Sequence, residues 1–286
     1  MPELPEVEAL ARFLGERVGG KVVERVEVAS FAALKTFEPP VDSLRGWTVD
    51  GVERRGKHLA LHAGDKWLVA HLARSGWVRW HDELPAARAR PGKGPLALRV
   101  GLSGGGGFDV TEQGTEKRLA LWTVTSPDQV EGIARLGPDP LAPGFGPAAL
   151  GALLAGRRGQ LKTVLTDQSV LAGVGNAYSD EALHAAGMSP FKPAGALAPE
   201  DVARLHSALV RVLTDAVERS LGLPASGLKA EKRSGMAVHG RTGLPCPVCG
   251  DTVAEVAFAT KSLQYCPTCQ TTGQRLADRR LSRLLK

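Results

Sequence analysis

LTDQSVLAGVGNAYSDEAL, residues 165–183, joins two helical runs through a turn that carries glycine. Apolar residues recur at helical spacing before it, in QLKTVLTDQSVL (160–171), and after it, in YSDEALHAAG (178–187). Gly173 and Gly175 permit a tight turn with exposed backbone N–H groups. A helix beginning beside them, with Asp180 and Glu181 in its first turn, is a natural seat for phosphate, and Asn176 adds a side-chain donor. The plainer reading of the same residues is a helix–helix turn in which Asn and Ser only cap.

The helical period extends to AALGALLAG (148–156) and to PEDVARLHSALVRVLTDAVERSLG (199–222), so a separate α domain is expected from Ala148. Upstream, Ser126–Pro147 is dense in proline and glycine and reads as a connector. Residues 21–125 hold short alternating runs (KVVERVEVA, WTVDGVERR, HLALHA, WLVAHLA, GWVRWH, LALRVGL, GFDVTE, RLALWTV), with Gly104–Gly107 as a hairpin tip. These predict a β-sandwich or barrel. A first helix, Pro5 to about Val18, packs on it, its apolar residues at Val7, Leu10, Leu14 and Val18.

All four cysteines fall in one segment, Cys246, Cys249, Cys266 and Cys269, spaced C-x2-C-x16-C-x2-C. Two knuckles of this kind present four sulfurs tetrahedrally, which suits one structural Zn²⁺; a mononuclear iron site and adventitious cysteines are the other readings. The intervening residues fit two short strands, with Lys261 at the expected tip. The fold class is therefore α+β: an N-terminal β-sandwich domain with its helix (1–125), a connector (126–147), a helical domain (148–230), a β-hairpin metal module (231–270) and a basic tail (271–286).

The 286 residues carry a net charge of +6, which by itself points only weakly to nucleic acid. No run approaches the roughly 18 uncharged apolar residues of a membrane span, and the acidic start is no signal peptide, so a cytoplasmic protein without a membrane partner is expected.

Three features occur in this order: the start MPELPEVE, the segment LTDQSVLAGVGNAYSDEAL, and the four-cysteine finger. Together they resemble the formamidopyrimidine-DNA glycosylase/endonuclease VIII family of helix–two-turn–helix DNA repair enzymes, over nearly the whole chain to about Gln270. The resemblance implies a monomeric bifunctional DNA glycosylase and abasic-site lyase acting on double-stranded DNA with an oxidised base or abasic site. Residues 148–230 would form the helix–two-turn–helix domain and 231–270 the zinc finger.

The start then acquires a chemical reading. With Met1 removed, Pro2 is a secondary amine, and an α-amine with an ordinary pKa of roughly 7.7–8.0 is partly neutral near pH 7. It can attack C1′ of a damaged nucleoside, and the resulting iminium has no N–H proton to lose, so it drives elimination of the 3′ phosphate and then the 5′ phosphate. Glu3 is placed as general acid, and Glu6 tunes the amine from the first helical turn. Lys57, in RRGKHL, is implied as a phosphate-holding residue of the catalytic set. Lys261 stands where the family's finger carries arginine, keeping the charge but losing the planar fork.

His71 and Asn176 are implied phosphate contacts. The turn HLARSG and the loop TEKRLA match those that fill the gap left by an extruded base: Arg74 stands where methionine is usual, Arg118 would face the orphaned base, and Leu119 would be a small wedge in place of phenylalanine. The segment Leu228–Val238 is shorter than the loop that covers oxidised guanine. These departures favour formamidopyrimidines or oxidised pyrimidines over 8-oxoguanine. A non-catalytic damage-binding protein of the same fold, and a zinc-ribbon transcription or recombination factor, are the competing readings.

Overall fold

The computed structural model describes residues 1–92, 94–258 and 262–277. The chain divides into two compact units: Met1–Leu136 with Arg219–Lys229, and Gly137–Glu218 with the chain from Ala230 onward.

In the first unit, helix α1 (Leu4–Val18) begins where Glu3 adopts extended backbone as the N-cap, with Pro5 in the first turn. Glu6, three residues past the cap, accepts the Glu3 N–H at 2.8 Å, satisfying a donor that a helix start leaves open. Eight strands follow: β1 (Val23–Val28), β2 (Val49–Arg55), β3 (His58–Ala63), β4 (Lys66–His71), β5 (Gly76–His81), β6 (Leu96–Leu102), β7 (Gly107–Glu112) and β8 (Ala120–Val124). They form two four-stranded sheets, ordered β1-β6-β7-β5 and β2-β3-β4-β8, with antiparallel pairing throughout. This is the expected sandwich.

The alternation of each run decides its faces. Leu59, Leu61, Leu68 and Leu121 of one sheet meet Leu98, Val100 and Phe108 of the other, with Val7, Leu10 and Leu14 of α1 in the same core. Each such side chain contributes roughly 1.5–3 kcal/mol on burial. The opposite face of the second sheet is also covered. Ala60, Val69 and Val124 pack under Val130, which links a 3₁₀ turn (Pro127–Gln129) to the short helix α2 (Glu131–Ala134), and under Ile133 of that helix. The stretch read from sequence as a connector begins with a packed element of this unit, because two of its apolar residues have a sheet face to cover. Residues 219–229 complete the core, where Trp77 Nε1 donates to the Ala225 carbonyl at 2.7 Å.

The second unit holds α3 (Pro147–Leu154), α4 (Leu161–Leu165), α5 (Asn176–Ala185) and most of α6 (Pro199–Ser220). It continues from within α7 (Leu228–Ser234) to the hairpin β9 (Ala254–Ala257) and β10 (Ser262–Tyr265) and the short helix α8 (Pro267–Thr271). Among the described residues no helix is long and apolar enough to cross a membrane.

Candidate functional site

Strand register gathers the expected site residues of the first unit at one end of a sheet. His58 pairs with His71, and His71 with Ala120, so the β2–β3 turn at Gly56–Lys57, the turn after β4 and the loop before β8 share that end. Helix α1 points the same way. Its Gly15 lies over Val52, while Glu8 accepts from Arg54 Nε at 2.9 Å, nearer the end of β2. The N-terminal end of α1, with Pro2 and Glu3, therefore lies toward Lys57. Pro2 is buried, Glu3 is 3% exposed, and Met1 precedes them.

Lys57 is buried, and its charge helps to hold the neighbouring His71 below the ordinary histidine pKa, burial being the larger cause. The His71 ring lies 4.9 Å from that of His58, which burial and the nearby cations bring down to about 4. His58 Nδ1 is 3.2 Å from the Arg55 carbonyl, a contact that fits a neutral ring donating from Nδ1. The two rings, both held below the ordinary histidine pKa, thus lie beside a buried lysine.

Arg74 is exposed in the turn after β4, just past Ala73, whose φ of 48° is left-handed and costs a non-glycine residue roughly 1–2 kcal/mol. Arg118 is exposed too, at the end of the loop before β8, with Glu116 3.3 Å away. Leu119, expected as a small wedge, is 2% exposed and packs in the sandwich core. The buried Glu112 carboxylate fixes this geometry by accepting the Arg118 and Leu119 N–H groups at 2.7 and 2.9 Å.

In the second unit the glycine-bearing turn is braced from within. Helix α4 stops at Leu165, short of the helical run read from sequence, because Asp167 turns its carboxylate to the Ser169 N–H and hydroxyl. Gln168 then spans the turn: its Oε1 accepts the Gly173 N–H at 3.0 Å and its Nε2 donates to the Val174 carbonyl at 2.7 Å. Gly173, at φ 83°, needs to be glycine, but its N–H is not open to phosphate. Helix α5 begins at Asn176, so Asp180 and Glu181 fall beyond its first turn, and both are buried. Asn176 Nδ2 donates to the Ser262 carbonyl at 2.8 Å, tying the helix start to the finger hairpin.

Sequence reading missed Lys162 altogether, and it placed Asp180 and Glu181 at a helix start without their buried partners. The Lys162 ammonium donates to Asp180 (2.6 Å), Ser179 (2.8 Å) and the Asn176 carbonyl (2.9 Å), and the other Asp180 oxygen meets His239 Nδ1 at 2.8 Å. Glu181 accepts the successive N–H groups of Ala237, Val238 and His239 at 2.7, 3.0 and 2.8 Å. Burial outweighs those bonds and pushes its carboxyl above the usual range. The one signal was a lysine and two acids inside otherwise apolar helical faces.

The four cysteine sulfurs lie within 4.8 Å of one another, with Cys249–Cys266 at 3.4 Å and Cys246–Cys269 at 3.9 Å. Zinc–sulfur bonds of about 2.3 Å require tetrahedral sulfur pairs about 3.8 Å apart, so the cluster fits that ion. Burial raises the Cys266 thiol to about 11, whereas the Asp251 N–H holds that of Cys249 below the ordinary thiol value. His184 of α5 touches Cys246 Sγ at 3.3 Å. Lys261 and the tail residues 278–286 lie outside the described residues.

Three known families match this chain in order. The formamidopyrimidine-DNA glycosylase N-terminal domain matches residues 1–112, the H2TH domain of the same enzyme residues 136–224, and the zinc finger found in FPG and IleRS residues 243–272. A Symbiobacterium thermophilum protein named formamidopyrimidine-DNA glycosylase is 38% identical, covering 97% of this chain and 92% of its own. The chain belongs to the formamidopyrimidine-DNA glycosylase family. A Mycobacterium tuberculosis protein described as an uncharacterised formamidopyrimidine-DNA glycosylase-like protein is 63% identical over 151 residues, 53% of this chain and 94% of the relative. Among solved structures, the Lactococcus lactis enzyme in complex with abasic-site DNA superposes with a TM-score of 0.82 at 28% identity, covering 94% of this chain and 99% of that one.

Proposed function

We propose that the protein is a bifunctional DNA glycosylase and abasic-site lyase of base excision repair. The observation that carries this reading is the burial of Pro2 and Glu3 at the sheet end that also holds Lys57 and His71. Mere DNA binding requires no imino acid and carboxylate at the processed start of the chain. After loss of Met1, the Pro2 nitrogen attacks C1′ of the extruded nucleotide, the C1′–base bond breaks, and Glu3 supplies the proton needed by the sugar oxygen or leaving base. The C1′ iminium then acidifies C2′. Loss of that proton expels the 3′ phosphate, and a second elimination releases the 5′ phosphate.

Lys57 and His71 hold phosphate beside the lesion, Arg74 and Arg118 meet the opposite strand, and affinity falls with salt as counterions are released. Asn176, tied to Ser262, sets the α5–finger arrangement that meets the backbone. Lys261 assists the second elimination as a point charge. One Zn²⁺ on Cys246, Cys249, Cys266 and Cys269 folds the hairpin and, with four protein sulfurs, leaves no position for substrate. The preferred lesions are formamidopyrimidines and oxidised pyrimidines rather than 8-oxoguanine. Two observations support that preference: Leu119 is buried, and the segment after Leu228 opens as a helix to Ser234 rather than as a long loop.

Borohydride trapping on a duplex with one abasic site tests the chemistry. Wild type is expected to form a covalent adduct, Pro2→Gly to lose it, and Glu3→Gln to lose base excision. Absence of an adduct from protein shown to lack Met1 would leave only damage binding. Bases released from a lesion panel test the substrate order.

A further inference from the structure

Leu119 is buried, yet an enzyme that extrudes a nucleotide needs a side chain to stack where the duplex is opened. We propose that Phe31 does this, an assignment that rests on the DNA glycosylase reading above and gives the opened duplex its aromatic contact in this chain. Phe31 opens a 3₁₀ turn (Phe31–Ala33) in the first unit and is 61% exposed. Isolated exposed apolar side chains are ordinary, so its place must carry the argument.

That place is fixed by β8. The chain after the turn runs parallel to β8: Leu34 bridges Leu121, the Lys35 N–H donates to the Leu121 carbonyl at 2.8 Å, and the Thr123 N–H donates to Thr36 Oγ1 at 2.7 Å. Followed backward, this register brings Phe31 toward Arg118, at the end of the sheet that holds His71 and Lys57. A crevice of about 30 Å³ lies where the two segments meet the start of β6, with Ser30, Ala32 and Ala33 on one side, Glu112, Lys117 and Leu119 on another, and residues 94–97 completing it. Lys35, Lys117 and Arg118 are all exposed in these segments, a basic setting for an aromatic ring that meets DNA. Phe37 is an internal control. It is more exposed than Phe31, at 71%, but the same register places it toward the far end of β8.

The test uses the full-length zinc-loaded protein and a duplex with a tetrahydrofuran abasic analogue, carrying 2-aminopurine opposite the gap. Wild type is expected to bind and to change the 2-aminopurine fluorescence. Phe31→Ala is expected to lose that change and to bind roughly 5- to 100-fold more weakly, the range for a lost base–aromatic stack. Phe31→Trp should retain both signals, and Phe37→Ala should match wild type. All variants should melt as wild type does, since both positions are exposed. Wild-type affinity and fluorescence in Phe31→Ala would overturn the assignment alone. Equal losses in Phe31→Ala and Phe37→Ala would overturn it as well, because place would not matter. Failure of wild type itself to bind or be trapped on abasic DNA would overturn the glycosylase reading and this assignment with it.

Discussion

Replacing His58 with phenylalanine should make the first unit less sensitive to acid and invert the order of stability between variant and wild type as pH falls. His58 is 8% exposed, its ring packs at 5.9 Å against Trp122, and its neighbours include His71 and Lys57. Burial, followed by those cations, lowers its pKa from 6.5 to about 4. The sign follows from where the proton prefers to bind. Above pH 6.5 both folded and unfolded chains hold a neutral ring. Between 6.5 and about 4 only the unfolded chain takes up the proton, so stability falls as pH falls. About 2.5 units at roughly 1.4 kcal/mol each give a loss of about 3 kcal/mol from this residue alone. Phe keeps the ring and cannot titrate, but it gives up the hydrogen bond to the Arg55 carbonyl, worth about 1 kcal/mol. His58→Phe should therefore be about 1 kcal/mol less stable than wild type at neutral pH and about 2 kcal/mol more stable near pH 4, crossing between. Urea unfolding followed by tryptophan fluorescence measures this directly, because Trp47, Trp67, Trp77, Trp80 and Trp122 all lie in the first unit. A stability difference that stays constant from neutral to acid would refute the reasoning, since His71 titrates in both proteins.

Three other outcomes are expected. Asp180→Asn leaves the buried Lys162 ammonium without its anion and should destabilise the second unit by about 3 kcal/mol, read by far-ultraviolet circular dichroism in urea. Glu181→Ala strands three backbone N–H groups and should cost about 3 kcal/mol, whereas Glu181→Gln costs less. Because burial raises the Glu181 carboxyl, its contribution is full below the ordinary glutamate range and falls as pH rises through the folded value, so the gap between wild type and Glu181→Gln should narrow upward in pH. Chelation, or Cys266→Ser, should release one zinc per chain, open the β9–β10 hairpin to protease and abolish tight DNA binding, while the tryptophan unfolding curve of the first unit stays in place.

Much of this architecture could be read from alternation and spacing. The eight strands of the sandwich, helix α1 and the cysteine knuckles all follow from period-two runs, a 3-4-4 apolar spacing and paired C-x2-C. Burial of Leu119 was legible too: it shares parity with Leu121, a core residue of β8, and only the analogy to a wedge drew attention from that. What stayed hidden depends on side chains meeting across long stretches of sequence. Gln168 closing its own turn, Asp167 ending α4, and Glu181 collecting the 237–239 backbone are hydrogen-bond choices that no periodicity encodes. Helix α2 was masked by proline and glycine on either side, although Val130 and Ile133 were the two residues able to cover a sheet face.

The account stands on Pro2 as the nucleophile, and the adduct itself can be sequenced. After borohydride reduction of the protein on abasic-site DNA, tandem mass spectrometry of the nuclease-trimmed N-terminal peptide should show a chain that starts at Pro2 and carries the sugar remnant on its nitrogen. A remnant on a lysine side chain such as Lys57, or a fully active protein that still begins with Met1, would contradict it.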